Sequence, residues 1–448
     1  MAAQVLPFPK ATLGVVSPIA CFVRIGGAHP KLADLHAEGH LPARHVVIDA
    51  SQFRNQHGLV SVFREIGAEI VLDTEVAELA APAKYTGRCH QAPWASADGP
   101  LGPDNFRKSA PSDVVGQIAR FAVQNHVSTV LAPAHFLSDP TFNEWLSIDR
   151  EACLALRTAL DREGGNGIAI DYPVIVSNTT LNDISTRGLI VATLSDLPVD
   201  NVWVRASGLG SDAGPLTMRR YLDSIAGLHN LGKPIIGDYI GGIAGMAALA
   251  FGAISGIGLG IGERERFDAG SWHKLPKPKD GDAVSGRAVR VSVPGLHRSV
   301  TRNELELLMS AKGGRRLCGC GDRACCPHGS SDMTADPRRH AAHQLFKSMS
   351  ALEAVPDLRR ESYFLGGPMT EADRLARQVK LLRPSQADAE RLKVDSDALM
   401  RNLGQHSMRL EKLRATLERV HEMRGDEGPR AHAVMQRGFS ESMTRRQP

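Results

Sequence analysis

Eight short apolar runs, separated by helix-like segments, are the feature that most restricts the fold of this chain. The runs are rich in Val and Ile and mostly apolar on both faces, as is typical of parallel strands covered by helices. The segments between them carry apolar residues at helical spacing, as in residues 145–160. The pattern predicts a (β/α)8 TIM-like barrel, with a doubly wound open sheet as the alternative. The runs are residues 14–23, 45–50, 69–73, 129–136, 168–176, 201–206, 234–240 and 256–261.

The composition is that of a water-soluble globular protein, with 42% hydrophobic and 23% charged residues among 448. The 53 basic and 49 acidic residues give a formal charge of +4, which neither requires nor excludes a nucleic-acid partner. Residues 240–261 are long enough to span a membrane, but their seven glycines favour a buried helix followed by a buried strand. We therefore expect no membrane association, a cytoplasmic location and reduced thiols.

Four of the apolar runs contain an aspartate that comes directly after Val, Ile, Leu or Gly and is predicted to lie at the strand end. A carboxylate at this position lies at the rim of the barrel mouth, where barrel enzymes place their chemistry and where burial raises its pKa. Several such acids around one cavity suit general acid/base work or attack on an anomeric carbon, whereas a single one is commonly a helix cap or the partner of an arginine. The four candidates for catalysis are Asp49, Asp73, Asp171 and Asp238.

Other polar groups and glycines also fall at predicted strand ends. Arg205 either holds a phosphate or pairs with an acid of the mouth, and for His135 a structural role is favoured. Gly241 and Gly242 open the helix after the seventh run. Their backbone amides are suited to a phosphate, although close packing of helix on strand explains glycine equally well.

A long connection and a helical C-terminal part complete the organisation. Residues 75–112 are rich in Pro, Gly, Ala and Ser and form a lid, a binding element or a disordered segment. We expect three domains: the barrel in residues 1–262, a basic connector and zinc-binding module in 263–355, and a helical extension in 356–448.

Within these C-terminal parts, Thr301 and Glu304 form a predicted capping box, and a helix is expected near residues 337–354. Leucines from 392 to 417 repeat at coiled-coil-like spacing. They predict either a helical hairpin packed on the body or contact with a second copy or another protein. The Arg-rich tail beyond Gly425 is predicted to be disordered.

Four of the seven cysteines lie within nine positions, with histidines just downstream. Clustered thiolates mixed with glycine and followed by histidine suit a locally built tetrahedral zinc site, and a site with four protein ligands is structural. The alternative is a group of free cysteines in a surface loop. The predicted ligands are Cys318, Cys320, Cys325 or Cys326, and His343.

A barrel followed by such a module resembles the tRNA-guanine transglycosylase family, over residues 14 to 350. The segment from Ile48 to Phe53 resembles the family's strand ending in Asp-Ser-Gly-Gly-Phe, with Asp49 as its aspartate, and Ser51 within it is a candidate for substrate binding. The segment from Leu72 to Glu75 resembles the family's Phe-Asp-Glu, and Arg339-x-x-x-His343-x-Leu345 resembles the helix that brings the zinc histidine.

The resemblance implies exchange of guanine for a 7-deazaguanine base in DNA or tRNA, hence a glycosyltransferase (pentosyltransferase) with structural zinc. It implies an active-site role for Asp49, and Arg264 matches the arginine that follows the family's nucleophile. Gly258, however, stands where that nucleophilic aspartate is expected, so Asp238 or Glu263 attacks instead. The alternative is a non-catalytic zinc-containing barrel that serves as a nucleic-acid-binding or partner subunit.

Overall fold

The computed structural model describes residues 18–106, 113–272, 290–425, 430–435 and 437. Eight parallel strands close into a barrel in the order β1-β2-β3-β4-β6-β7-β8-β9, and the short β5 is added beside β6. The pairing of β4 with β6 and of β1 with β9 closes the ring. The strands are β1 Ala20–Arg24, β2 His45–Asp49, β3 Glu69–Asp73, β4 Thr129–Leu131, β5 Phe136–Leu137, β6 Ala169–Ser177, β7 Val202–Ser207, β8 Ile235–Asp238 and β9 Gly256–Leu259.

The predicted (β/α)8 barrel is therefore confirmed, and each apolar run supplies one barrel strand. The fourth run is divided, because only its first three residues pair as β4 and its end forms β5. Nearly every strand residue is buried, as expected for strands with side chains in the barrel on one face and helices on the other.

Helices cover the outside of the barrel and continue into the C-terminal part. Helix α9 is fully apolar and almost fully buried, which explains why residues 240–261 look like a membrane span in the sequence. Among the described residues, no helix is long and apolar enough to cross a membrane. The barrel helices are α1 His29–Ala37, α2 Phe53–Glu65, α3 Val76–Leu79, α4 Val114–Gln124, α5 Phe142–Arg162, α6 Asn178–Asn182, α7 Ile184–Leu194, α8 Pro215–Leu228 and α9 Gly242–Ala250.

After the barrel, an antiparallel hairpin precedes a series of helices. The capping box at Thr301 and Glu304 is present at the start of α10. The later elements are β10 Arg290–Val293, β11 Arg298–Thr301, α10 Arg302–Ser310, α11 Gly314–Cys318, α12 Ser330–Ala335, α13 Pro337–Glu353, α14 Arg360–Phe364, α15 Thr370–Val379, α16 Gln386–Leu392 and α17 Ser396–Arg424.

The leucine repeat lies on α16 and α17, and its side chains are buried against the rest of the chain, mainly α8 and α15. A buried leucine contributes on the order of 2 kcal/mol through removal of apolar surface from water. The repeat therefore fastens the helical extension to the barrel, and contact with a second copy through other faces of these helices stays a prediction.

Three sequence predictions fall wholly or partly outside the described residues. They are the lysines of the basic connector (Lys274, Lys277 and Lys279), the end of the long connection at 107–112, and most of the Arg-rich tail.

Candidate functional site

Three of the four predicted aspartates meet at the carboxyl end of the barrel. Asp49, Asp73 and Asp238 are the last residues of β2, β3 and β8, and all three are almost fully buried. Two buried arginines join them: Arg205 on β7 and Arg24, the last residue of β1.

The two arginines and two of the aspartates form a closed ion-pair cage. Arg24 donates from Nε and Nη2 to the two oxygens of Asp238, at 2.8 and 2.5 Å, and from Nη1 to Asp73 at 2.8 Å. Arg205 donates from Nε to Asp238 at 2.7 Å and from Nη2 to Asp73 at 2.6 Å. Burial alone raises the pKa of Asp73, but Arg205 and Arg24 outweigh that effect and hold the pKa below its ordinary value.

The cage explains the glycine found in place of the family's nucleophile. A Cβ atom on Gly258 would lie 2.6 Å from Oδ1 of Asp238 and 3.0 Å from the ring of Trp203. The space that a longer side chain needs is thus filled from β7 and β8. The side chain of Asp238 has no exposed surface, and Arg24 and Arg205 occupy its oxygens, so it does not face a substrate.

Asp49 is held by a third arginine. Arg264 donates from Nη1 and Nη2 to its two oxygens, at 3.1 and 2.7 Å. Gly26 has a φ of +54°, and a Cβ there would lie 2.8 Å from Nε of Arg264, so the approach of the guanidinium requires glycine at this position. The side chain of Asp49 keeps 6% of its surface exposed.

Two glutamates after β3 complete an acid group that the sequence reading did not assign. Glu75 has a left-handed backbone (φ 52°) and accepts a hydrogen bond from the amide of Ser51 at 2.7 Å. Burial and the neighbouring charge of Asp49 raise the pKa of Glu75 well above its usual value. Burial, followed by the charge of Asp73, raises the pKa of Glu78 to about 7. One oxygen of Glu78 is buried and has no hydrogen-bond partner among the described residues.

The long connection after β3 lies over this acid group as an ordered cover, at least through residue 106. Trp94 is buried and donates from Nε1 to the carbonyl of Thr74 at 2.9 Å. The amide of Ala83 donates to the carbonyl of Trp272, in the loop after β9, at 2.9 Å. Through residue 106 the connection is therefore packed against the barrel mouth, and its first residue, Glu75, contacts Ser51.

An arginine-rich cleft of about 730 Å³ opens beside the acid group. Its walls come from the loop after β7, the start of α9, the loop after β9, the β10–β11 hairpin and α17. Tyr239 lies at its inner end, with its ring 4.4 Å from the guanidinium carbon of Arg24. The charged side chains of the lining are Arg264, Arg266, Arg290, Arg298 and Arg409 together with Asp212, Glu263 and Glu265.

The positive charge of this cleft is only partly balanced within the chain. Arg266 pairs with Asp212 at 2.8 Å, and Arg264 pairs with Asp49. Among the described residues Arg298 has no ion-pair partner, and its buried Nε has no hydrogen-bond partner. Burial and the nearby Arg290 lower the pKa of Arg298, as expected for arginines that repel one another. Gly242, at the start of α9, also lines the cleft.

The remaining predicted residues have different surroundings. Asp171 is not at the mouth, because β6 continues to Ser177 and the aspartate lies near the strand's beginning, at the opposite end of the barrel. Of the two roles considered for Arg205, pairing with acids is the one observed. His135 pairs with the buried Asp149 at 2.5 Å, consistent with a structural role. Gly241 packs closely, since a Cβ there would lie 2.8 Å from Cγ of Glu265.

Arg24 and the two glutamates were missed for different reasons. Arg24 comes directly after the first predicted run, which ends at Val23, whereas strand β1 includes it as its last residue. Glu75 and Glu78 lie beyond the strand end, and only the turn at Glu75 directs them back over the barrel.

A group of possible metal ligands lies in the C-terminal part. Sulfur or nitrogen atoms of Cys320, Cys325, Cys326 and His340 are all within 4.8 Å of one another, and all four residues are buried. Nδ1 of His340 lies 3.3 Å from Sγ of Cys325 and 3.5 Å from Sγ of Cys326. Its Nε2 is 3.1 Å from the carbonyl oxygen of Ser292, which can only accept, so Nε2 carries the proton and the Nδ1 lone pair faces the thiols. Three thiols and one imidazole in this arrangement fit a tetrahedral metal ion.

Cys318 and His343, both expected among the ligands, lie outside this group. His343 is one helical turn beyond His340 on α13, is half-buried, and has its Nε2 3.3 Å from a carboxylate oxygen of Asp322. Cys318 is buried at the end of α11, where burial raises the pKa of its thiol to about 12. The difference arises because His340, rather than His343, is on the face of α13 that packs against β10.

No family model matches this chain, and no curated protein matches it. Among solved structures, the chain is similar to an enolase protein from the environmental genome shotgun sequencing of the Sargasso Sea. The identity is 13%, the match covers 55% of each chain, and the TM-score is 0.30. At this level the likeness supports no statement about the site.

Proposed function

We propose that this protein is a nucleic-acid base-modifying enzyme that exchanges guanine for a 7-deazaguanine base in DNA or tRNA. The observation on which the proposal rests is Arg264, which lines the arginine-rich cleft and also pairs with Asp49 of the acid group. A cleft with unbalanced guanidinium groups suits the phosphates of a nucleic acid, and carboxylates at its end suit chemistry at the sugar.

Two of the five arginines of the cleft, Arg264 and Arg266, are paired with aspartates. Three have no ion-pair partner among the described residues, which favours an anionic ligand, and these are Arg290, Arg298 and Arg409. Arg290 and Arg298 lie on the hairpin, away from the acid group, where they can hold backbone phosphates. An enzyme that acts on a base must take it out of the stack, and Tyr239 offers a ring near the mouth for an extruded base.

The carboxylates divide into two roles according to their surroundings. Asp49 is paired with Arg264, but its side chain keeps 6% of its surface exposed whereas that of Asp238 has none, so we assign the attack on C1′ of the nucleoside to Asp49. Glu75 and Glu78 have raised pKa values and are suited to carry the proton. These roles differ from the sequence prediction, in which Asp238 or Glu263 attacks and Asp49 manages the proton. The oxygens of Asp238 are occupied by Arg24 and Arg205, and Glu263 pairs with Arg338.

The proposed reaction has two balanced steps. In the first, a carboxylate oxygen of Asp49 forms a bond to C1′ while the bond from C1′ to the base breaks, and Glu78 donates a proton to the departing base. In the second, Glu78 takes a proton from the incoming base, whose nitrogen bonds to C1′ and releases the carboxylate.

The metal of the cysteine group is, in this proposal, structural zinc. Three cysteines and one histidine leave no open position for substrate, and the site ties α13 to the loop after α11. Less than about half a zinc per purified chain would contradict this assignment.

Incorporation of labelled guanine into tRNA and, separately, into duplex DNA tests the proposal. We expect incorporation into one of them, and at least a hundredfold loss with Asp49→Asn. Asp223→Asn, on an exposed part of α8, is the matched control that keeps the activity. Equal incorporation by wild type and Asp49→Asn would remove Asp49 from the mechanism.

A second candidate, a non-catalytic nucleic-acid-binding subunit, is favoured by the cage itself. Asp73 and Asp238 are both neutralised by arginines, as in a barrel that keeps its acids for structure. Salt-dependent binding of tRNA or DNA by the wild type, without exchange of any base, would support this candidate over the first.

A further inference from the structure

The amino end of the barrel, opposite the proposed site, contains a buried polar layer that the mechanism does not use. Glu69, the first residue of β3, accepts hydrogen bonds from Thr129 at 2.5 Å and lies 2.7 Å from Nδ1 of His45. Asp171 accepts from the side-chain amide of Asn201, at 3.0 and 3.1 Å, and from the indole of Trp203 at 2.8 Å. Both carboxylates have at most 1% of their surface exposed.

A carboxylate in such surroundings requires a positive partner. Burial raises the pKa of Asp171 to about 6, although Arg437 and Asn201 favour its ionised form. His45 lies beside Glu69, and the described β-strands place no ion-pair partner beside Asp171. The counter-ion comes instead from the far end of the chain.

A tail segment, defined as residues 430–435 and 437, lies across this end of the barrel. The amide of Ala431 donates to the carbonyl of Gly252 at 2.8 Å, and the hydroxyl of Ser255 donates to the carbonyl of His432. Val434 is only 4% exposed and belongs to the apolar cluster inside the barrel, together with Phe22, Val47, Trp203 and others.

Arg437 then reaches the polar layer. Its Nη1 lies 3.3 Å from Oδ1 of Asp171 and 3.8 Å from Oε1 of Glu69, and its Nη2 lies 3.3 Å from Asp200. Nη1 is also 3.4 Å from the hydroxyl of Thr129. The side chain keeps 21% of its surface exposed, so the guanidinium enters from outside rather than from within the fold.

We propose that the amino end of the barrel is a binding site for an extended, arginine-bearing peptide, and that its occupant is the chain's own tail segment. Val434 fills the apolar part of the site, the backbone bonds to Gly252 and Ser255 set the position, and Arg437 is the group that the acids select. The site closes the barrel at the end away from the reaction. The inference does not depend on the proposed function.

Hydrogen exchange of the backbone amides of residues 430–435 in the full-length protein tests this. Wild type is expected to protect the Ala431 amide, and Arg437→Ala to raise its exchange rate about tenfold or more, the loss expected for a charge-assisted hydrogen bond. Asp171→Asn, which keeps the shape of the layer, is expected to raise the rate similarly. Arg419→Ala, an exposed arginine on α17, is the matched control and leaves exchange unchanged.

Two outcomes would overturn the proposal. The first is a failure of the exchange test. Either the tail amides of the wild type exchange at the unprotected rate, or the amides of both Arg437→Ala and Asp171→Asn exchange at the wild-type rate. The second is protection that disappears on dilution in step with a change from dimer to monomer, because the occupant would then be the tail of a second copy.

Discussion

At the scale of single residues, the site depends on which carboxylates are paired and which are left with a raised pKa. Asp73 and Asp238 share Arg24 and Arg205, and these arginines hold the pKa of Asp73 below its ordinary value. Burial and then the charge of Asp73 raise the pKa of Glu78 to about 7, near the pH at which proton transfer is efficient, and its buried Oε2 has no hydrogen-bond partner among the described residues.

The first residue-scale prediction concerns the pH dependence of base exchange. Because the pKa of Glu78 is raised to about 7, its proton-donating form is lost as the pH rises through 7. The exchange rate of the wild type should therefore fall above that pH. Glu78→Gln is expected to lower the rate about 100-fold or more and to remove this limb of the pH–rate profile. If Glu78→Gln kept the fall in rate above pH 7, a group other than Glu78 would be responsible for it.

The second residue-scale prediction concerns the close packing of Asp238 and Trp203 against Gly258. Gly258→Ala places a methyl group 2.6 Å from Asp238 and 3.0 Å from Trp203, so it should lower the free energy of unfolding by about 1–3 kcal/mol. Gly188→Ala is the control, since that glycine lies in α7 with nothing within 4 Å of the added methyl. It is expected to raise stability by up to about 1 kcal/mol. Urea unfolding measures the free energy of unfolding of both variants. Equal changes in the two would mean that the structure around Gly258 adjusts to the added methyl group without cost.

At the scale of elements, α13 decides which histidine meets the cysteines. His340 and His343 are three residues apart and therefore face directions about 60° apart on a helix. The packing of α13 against β10 turns the first of them toward Cys325 and Cys326.

Metal content of two single variants tests this choice. His340→Ala removes a nitrogen donor from the buried group and should reduce bound zinc from about one per chain to less than about half. His343→Ala should leave the metal content unchanged, since its ring contacts Asp322 instead. Loss of metal from His343→Ala alone would restore the ligand set expected from the family resemblance.

At the scale of the whole molecule, the arginine-rich cleft is assembled from parts that are far apart in sequence. The loop after β9, the hairpin and α17 each contribute arginines to the cleft. The arginine of α17 is Arg409, and the buried leucines of that helix hold it in place. The cleft therefore exists only when the helical extension is fastened to the barrel.

The salt dependence of nucleic-acid binding reports on this cleft. If Arg290 and Arg298 each neutralise one phosphate, replacing either with alanine should reduce the slope of log Kobs against log salt by about 1. Arg219→Ala, an exposed arginine on α8 outside the cleft, should leave the slope unchanged. An unaltered slope in both hairpin variants would place the phosphates elsewhere.

Local patterns in the sequence were sufficient for the barrel, the capping box and the presence of a cysteine–histidine site. Each depends on neighbouring residues: a run of Val and Ile marks a buried strand, and a Thr–Glu pair three residues apart caps a helix. The bounds of β3 agree with the sequence prediction at both ends, and those of β2 differ from it by one residue.

The tertiary structure alone decided the charge state and use of the acids, because their partners are distant in sequence. Arg24 is 214 residues from Asp238, Arg264 is 215 from Asp49, and Arg437 is 266 from Asp171. No periodicity encodes such pairings. A strand-end aspartate looks the same in the sequence whether two arginines enclose it completely, as at Asp238, or whether one arginine pairs with it and part of its surface stays exposed, as at Asp49.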